Sequence, residues 1–482
     1  MHPLDLIIFL VYILLMLGIG IWFHFRNKNI DDFYVGGRQM GSWHIGFSVV
    51  ATDVGGGFSI GLGGLGFAIG LSGSWMLFTG LLGAWLSAVF LIPKIKILSD
   101  KKGLYTFPQI FETFYNGKVA LAAGIISAIG YLGFTSSQLL AGAKLASATF
   151  EGLNLQYALL LMGIVAVGYT VLGGLKAVIY TDTVQWIILL FGLIFIGIPI
   201  AYYKTGGLQG LLDTVSPELL SLGNISWITL INWLVTILPV WFVGMTLYQR
   251  IYAAKSVKQA QKAWYIAGLF EWPVMAFMGV LLGLFARVAF EGGMFTEIGY
   301  AAGSSIDPEM GLPLLLRHIL PVGLMGLLLS AYFSAILSTA DSCLIAASGN
   351  ILTDIIEKIV PHKLSEKKIL LYSKILTLLV GIFALLIALN MEGVLQLMLY
   401  SYAIMVSGLL IPVLALLIYK KPNTTAALSA MIAGGTVTIV LTTIESKLPL
   451  GLAANIFGIV VAALIYIVIH YKNQSKYIQH EI

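Results

Sequence analysis

The sequence predicts an all-α membrane protein with thirteen transmembrane helices, and three observations carry that reading. Of 482 residues, 59% are hydrophobic and 10% charged, whereas a soluble domain has roughly 45–50% apolar and about 25% charged residues. Apolar runs of membrane length recur along the whole chain, without the period-2 alternation of barrel strands. The basic residues fall almost entirely in alternate connections between those runs. Together these exclude disordered, fibrous, disulfide-rich and nucleic-acid-binding classes, and they make the lipid bilayer the protein's solvent.

A spanning helix needs about 20 mostly apolar residues. The runs that qualify are 4–23, 41–72, 75–94, 119–148, 156–175, 182–203, 226–248, 264–289, 314–346, 369–389, 393–418, 424–444 and 450–471. The first is long enough to span the membrane, so a cleavable signal peptide is not expected. With the N-terminus outside, the inner connections and ends hold 22 of the 27 basic residues, among them Arg38, Lys94, Lys96, Lys176, Arg250, Lys358 and Lys472. The C-terminus is then cytoplasmic, and the net charge of +5 reflects topology in the cell membrane rather than an acidic partner. Lys144 falls near the outer end of the fourth run. The connections are too short for a separate domain, so the function lies within one membrane bundle, for which a monomer suffices. The lone cysteine, Cys343, reads as a small buried residue.

Ionisable residues inside spans are costly and point to function. Asp53 lies about twelve residues into the second run and precedes Gly55, Gly56 and Gly57. Glycine is poor in a helix interior, so a run of it in mid-membrane predicts an unwound stretch lining a cavity. Its freed carbonyls suit a small cation, and the helix start that follows suits an anionic group. Gly61, Gly63, Gly64 and Gly66 fit close helix packing instead. The ninth run carries Ser334, Ser338, Asp341 and Ser342 on one helical face, with Thr339 beside them. Asp182 opens the sixth run, in the same half of the membrane as Asp341. In the seventh run Pro239 and Gly244 bracket a second expected break around Trp241. Interrupted helices five spans apart indicate an inverted-repeat secondary transporter coupled to a cation.

The stretches Asp32–Arg38, Ala51–Gly57, Gly173–Gln185, Tyr248–Lys255 and Ser334–Ser342, in that order and placement, resemble the sodium:solute symporter family. The resemblance runs from about residue 4 to 440. It implies a five-plus-five inverted-repeat core in a single transporter domain over 1–482. Repeat one then covers about 41–203 and repeat two about 226–418, with one span before them and two after, at about 424–471. It implies a sodium site formed by the carbonyls of Ala51, Val54 and Ala335 and the hydroxyls of Ser338 and Thr339, with Asp53 important for coupling. Some members have a second sodium site, which maps here to Asp182, Ser338 and Ser342. Asp341 stands where sialic-acid-type members carry a serine and joins that set, where a second carboxylate strengthens the site or holds a proton instead.

The expected function is sodium-coupled symport of a small organic solute by alternating access, with Na⁺ as the coupling ion. An amino acid or small carboxylate is favoured over a sugar, sialic acid, pantothenate or a choline-like solute. Gly55, Gly56, Phe134, Ser137, Gln138, Trp241 and Met245 are the pocket candidates, by position facing the breaks. The rival classes are a membrane-embedded enzyme and an ion channel. The seven histidines form no pair at ligand spacing, and no repeated filter motif is present.

Overall fold

The computed structural model describes residues 2–26, 31, 35–53, 55–173, 175–359, 365–444 and 448–480. Among the described residues its regular elements are all helices, with one isolated bridge between Met40 and Ala254. The helices used below are α1 (Pro3–Arg26), α2 (Ser42–Asp53), α3 (Gly55–Ile69), α4 (Trp75–Phe90), α5 (Gly117–Thr149), α6 (Leu155–Gly173), α7 (Leu175–Gly192), α8 (Trp227–Val243), α9 (Met245–Ala253), α10 (Val257–Leu269), α11 (Ala276–Glu291), α12 (Pro308–Ile319), α13 (Leu324–Gly349), α14 (Glu366–Ala388), α15 (Val394–Ile418), α16 (Thr424–Thr443) and α17 (Ala454–His480). Nine helices among the described residues are long and apolar enough to cross a membrane, and α8 with α9 makes one more bent by 42°.

Both expected breaks are present. The second run is interrupted beside Asp53, where Gly55 has φ +49°, outside the right-handed helical region and a backbone that glycine adopts freely. The seventh run bends at Gly244, after Pro239. A third interruption was not expected. Pro273 follows Glu271 by two residues, and the residue before a proline is pushed out of the helical region. Trp272 is accordingly extended (φ −136°, ψ 123°), and a wide π-type turn over Phe270–Met275 separates α10 from α11. The ninth run, 314–346, is also two helices. Gly323 (φ +92°) ends a turn between α12 and α13, and the Asp5 carboxylate of α1 caps α13 by accepting from Gly323 N at 2.6 Å and Gly326 N at 2.9 Å.

The broken helices sit at the centre. All of α13 is buried except its first residue and Leu327, and it packs against α1, α5 and α7. The glycines of α3 permit close backbone approach, as their spacing indicated. A Cβ on Gly66 would lie 2.2 Å from the Val280 carbonyl, and one on Gly283 would lie 2.1 Å from the Gly63 carbonyl. Met40 ties the start of α2 to the end of α9 through Met40 N to Ala253 O and Lys255 N to Met40 O, both 3.0 Å. Cys343 is buried.

Candidate functional site

The break in α2/α3 faces the middle of α13. Thr339 Oγ1 donates toward Ala51 O at 2.9 Å and lies 3.1 Å from Ala335 O, and Ser338 Oγ donates to Ala335 O at 3.3 Å. Ala51, Ala335 and Thr339 therefore meet, contributing two carbonyl oxygens and a hydroxyl, and Ser338 Oγ reaches the same Ala335 carbonyl. Gly55 adjoins the same point, since a Cβ there would meet Thr339 Oγ1 at 2.7 Å. Neutral oxygens of this kind bind a small monovalent cation and can release it. Val54, the remaining expected carbonyl, lies outside the described residues.

The second set is organised differently. Asp182 does not open its helix but sits well inside α7, fully buried. Its Oδ2 accepts from Ser48 Oγ at 2.6 Å and lies 3.7 Å from Arg250 Nη2. Charge counting placed Arg250 in an inner connection, but it is fully buried in the last turn of α9. Its guanidinium donates to Ser48 Oγ at 3.2 Å, Thr52 Oγ1 at 2.6 Å, Ser342 Oγ at 2.9 Å and Thr246 O at 3.3 Å. Ser342 thus faces a guanidinium. Ser338 faces the Asp182 carboxylate, while Asp341 accepts from Thr170 Oγ1. One oxygen of each acid, Asp182 Oδ1 and Asp341 Oδ2, has no hydrogen-bond partner although both residues are buried.

The pocket candidates divide into groups. Phe134 meets Tyr402 edge to face at 5.3 Å, and the Tyr402 hydroxyl faces Asp53. Ser137 Oγ donates to Phe134 O at 2.7 Å, and Gln138 Nε2 lies 3.3 Å from Ser137 Oγ. Trp241 is fully buried and meets Trp264 edge to face at 6.2 Å. Gly55 and Gly56 form the first turn of α3. Met245 turns elsewhere, its sulfur accepting from Phe107 N at 3.0 Å.

Sequence reasoning misses Glu271, a fully buried acid whose carboxyl meets that of Asp53. The available signal was an acid two residues before a proline within the apolar run 264–289. It also misses the Lys144 cluster. The Lys144 ammonium lies 2.5 Å from Asp307 and 2.6 Å from Glu309, and Glu309 accepts from the free amides of Val394 (2.9 Å) and Leu395 (3.0 Å) at the start of α15.

A sequence profile of the sodium:solute symporter family matches residues 33–434. The chain is 29% identical over 448 residues to the osmoregulated proline transporter of Bacillus subtilis, covering 90% of this chain and 88% of that one. It is 28% identical to the sodium/proline symporter of Escherichia coli (90% and 87% covered) and 27% identical to the sodium/glucose cotransporter of Vibrio parahaemolyticus (89% and 83% covered). In three dimensions it resembles a substrate-bound, outward-open Na⁺-coupled sialic acid symporter, with a TM-score of 0.80 over 97% of each chain at 20% identity.

Proposed function

Because the chain belongs to the sodium:solute symporter family and is a sodium-coupled symporter of a small solute, we propose that sodium binds where the α2/α3 break faces α13. Ala51 and Ala335 supply carbonyls and Ser338 and Thr339 hydroxyls, with Val54 adding a carbonyl. The observation that carries this reading is the contact of Thr339 Oγ1 with both Ala51 O (2.9 Å) and Ala335 O (3.1 Å), which joins two elements far apart in sequence. A cation at this junction favours one spacing of α2/α3 against α13. Ion binding then biases the conformation in which the solute site is formed.

The proposed solute site adjoins this junction, along Gly55, Gly56, Phe134, Ser137, Gln138 and Trp241, and alternating access exposes it to each side in turn. Thirteen spans, a five-plus-five inverted repeat, an outside N-terminus and a cytoplasmic C-terminus complete the proposal. The basic residues that alternate connections collect on one side of that topology, Arg250 apart, support it. An amino acid is the favoured solute, in keeping with the two proline transporters among the relatives; the glucose cotransporter keeps a sugar as the second reading.

Proteoliposomes test the assignment. An imposed inward Na⁺ gradient should drive accumulation of labelled solute, a K⁺ gradient should not, and Thr339→Ala should shift the Na⁺ dependence. Equal accumulation under both gradients, or an unaltered Na⁺ dependence in the variant, sinks the sodium-site assignment.

A further inference from the structure

Glu271 and Glu309 are both acids withdrawn from water, and they are treated differently. Glu309 is neutralised by Lys144 and two helix-start amides. Among the described residues no amide or hydroxyl donates to Glu271, whose carboxyl meets that of Asp53, and no lysine, arginine or histidine pairs with Glu271 or with Asp53. The position is nevertheless built. Trp272 and Pro273 break the helix beside Glu271, and Gly80 of α4 leaves room for its carboxylate. A Cβ on Gly80 would lie 2.1 Å from Glu271 Oε2 and 3.8 Å from Trp241 Nε1. Trp241 Nε1 is itself buried without an acceptor. Trp241 lies near Glu271 on one side, and Tyr402, which packs on Phe134, adjoins Asp53 on the other.

Two carboxyls in contact in a dry interior share one proton and keep one negative charge that no cation balances. A positively charged group beside them balances that charge, and aromatic faces favour a cationic nitrogen. The sodium site proposed above uses neutral oxygens on α2 and α13, so the charge missing here is one that the solute can bring. We propose that Glu271, together with Asp53, binds the positively charged nitrogen of the transported solute. The substrate class is therefore amines, amino acids or quaternary ammonium compounds, to the exclusion of sugars and plain carboxylates. This rests on the symport reading and narrows its solute.

The test is a thermal-shift and isothermal-titration screen of the purified full-length protein in Na⁺ and in K⁺. The probes are L-proline, L-alanine, glycine betaine and choline, set against propionate, lactate and glucose. The expected result is Na⁺-dependent binding of at least one cationic-nitrogen probe and none of the other three. Glu271→Gln should weaken that probe by about tenfold or more, as the loss of a bond to a charged group does, while keeping the shift caused by Na⁺ alone. Glu271→Asp should fall between the two. If Glu271→Gln does not fold, Gly80→Ala, which crowds the same carboxylate, should weaken the same probe. A best probe that lacks a charged nitrogen overturns the proposal and leaves sodium coupling standing, as does wild-type affinity in Glu271→Gln or, where that variant fails to fold, in Gly80→Ala. A wild-type protein whose binding is the same in Na⁺ and K⁺ overturns the symport reading and this proposal together.

Discussion

The guanidinium of Arg250 lies 3.7 Å from the carboxylate of Asp182, and both side chains are fully buried. The same guanidinium donates to Thr52 and Ser342, and Ser48 bridges it to Asp182. One cation thereby links α2, α7, α9 and α13, the broken helices and their neighbours. The resemblance-based second sodium site uses Asp182 and Ser342, and here both already face a fixed positive charge. An ion entering that set must displace Arg250 or use the free oxygens of Asp182 and Asp341.

Removing one partner of this pair leaves an uncompensated charge, a loss of about 3–5 kcal/mol for buried pairs. Arg250→Gln and Asp182→Asn should each lower unfolding stability by that order. The double variant should lose clearly less than the sum of the two. A double-mutant cycle on denaturant unfolding in detergent measures the coupling, and additive losses would mean the pair does not interact.

Ser338→Ala and Thr339→Ala should raise the Na⁺ concentration for half-maximal uptake by about 10–150-fold, the value of about 1.5–3 kcal/mol for a lost bond to a charged group. Thr339→Ala should be the more severe, because its hydroxyl reaches carbonyls on two helices while Ser338 Oγ reaches one. Thr339→Ser keeps the hydroxyl and should recover most of the affinity. Na⁺ titration of uptake in proteoliposomes, with surface expression matched, gives the comparison.

The helices and the two expected breaks were readable because hydropathy and glycine or proline placement act locally. So was the junction of Ala51 with Thr339, which the ordered motifs implied. Arg250 was not. Counting charges by position cannot distinguish a helix-end arginine facing water from one turned inward, and only the packing of α2, α7 and α13 around it decides. The run 314–346 was continuous in hydropathy, and Pro321 and Gly323, which lie in the turn between α12 and α13, were outweighed by the leucines beside them. Glu271 was hidden similarly, as one acid among apolar neighbours, and its contact with Asp53 depends on a tertiary fold that no local pattern encodes.

Gly55→Ala should damage the sodium site from the opposite side. Its φ of +49° costs an L residue roughly 1–2 kcal/mol, and the added Cβ would press on Thr339 Oγ1 from 2.7 Å. Relief requires Thr339 to move away from Ala51. The expected result is weaker Na⁺ activation together with a stability loss of that order. Gly61→Ala is the control, since a Cβ there meets only the Leu395 side chain at 3.2 Å or more; it should leave Na⁺ activation near wild type. Equal Na⁺ affinities in the two variants would remove Gly55 from the site.

Asp341 is the residue at which a second coupling ion can be tested. It is buried on α13, one oxygen accepts from Thr170 Oγ1, and the other is unpartnered. Asp182, on the neighbouring α7, lies close enough to interact with it and also keeps one free oxygen. Two free carboxylate oxygens in a dry interior provide what Na⁺ or a proton needs, whereas a purely structural acid has its bonds filled, as Glu309 does. Arg250 neutralises at most one of the two acids, so a negative charge on Asp341 needs a proton or a transported cation to balance it. Asp341→Asn removes that charge and keeps the shape and the Thr170 contact. It should lower the charge moved per solute, or alter how uptake depends on pH, while solute affinity in saturating Na⁺ stays close to wild type. Asp53→Asn should instead reduce uptake at every pH, because Asp53 stands at the helix break itself. Solid-supported-membrane currents paired with tracer flux give the charge-to-solute ratio for all three proteins. A ratio and a pH profile in Asp341→Asn equal to those of wild type would reduce Asp341 to a hydrogen-bond acceptor for Thr170 and leave Asp182 paired with Arg250 alone.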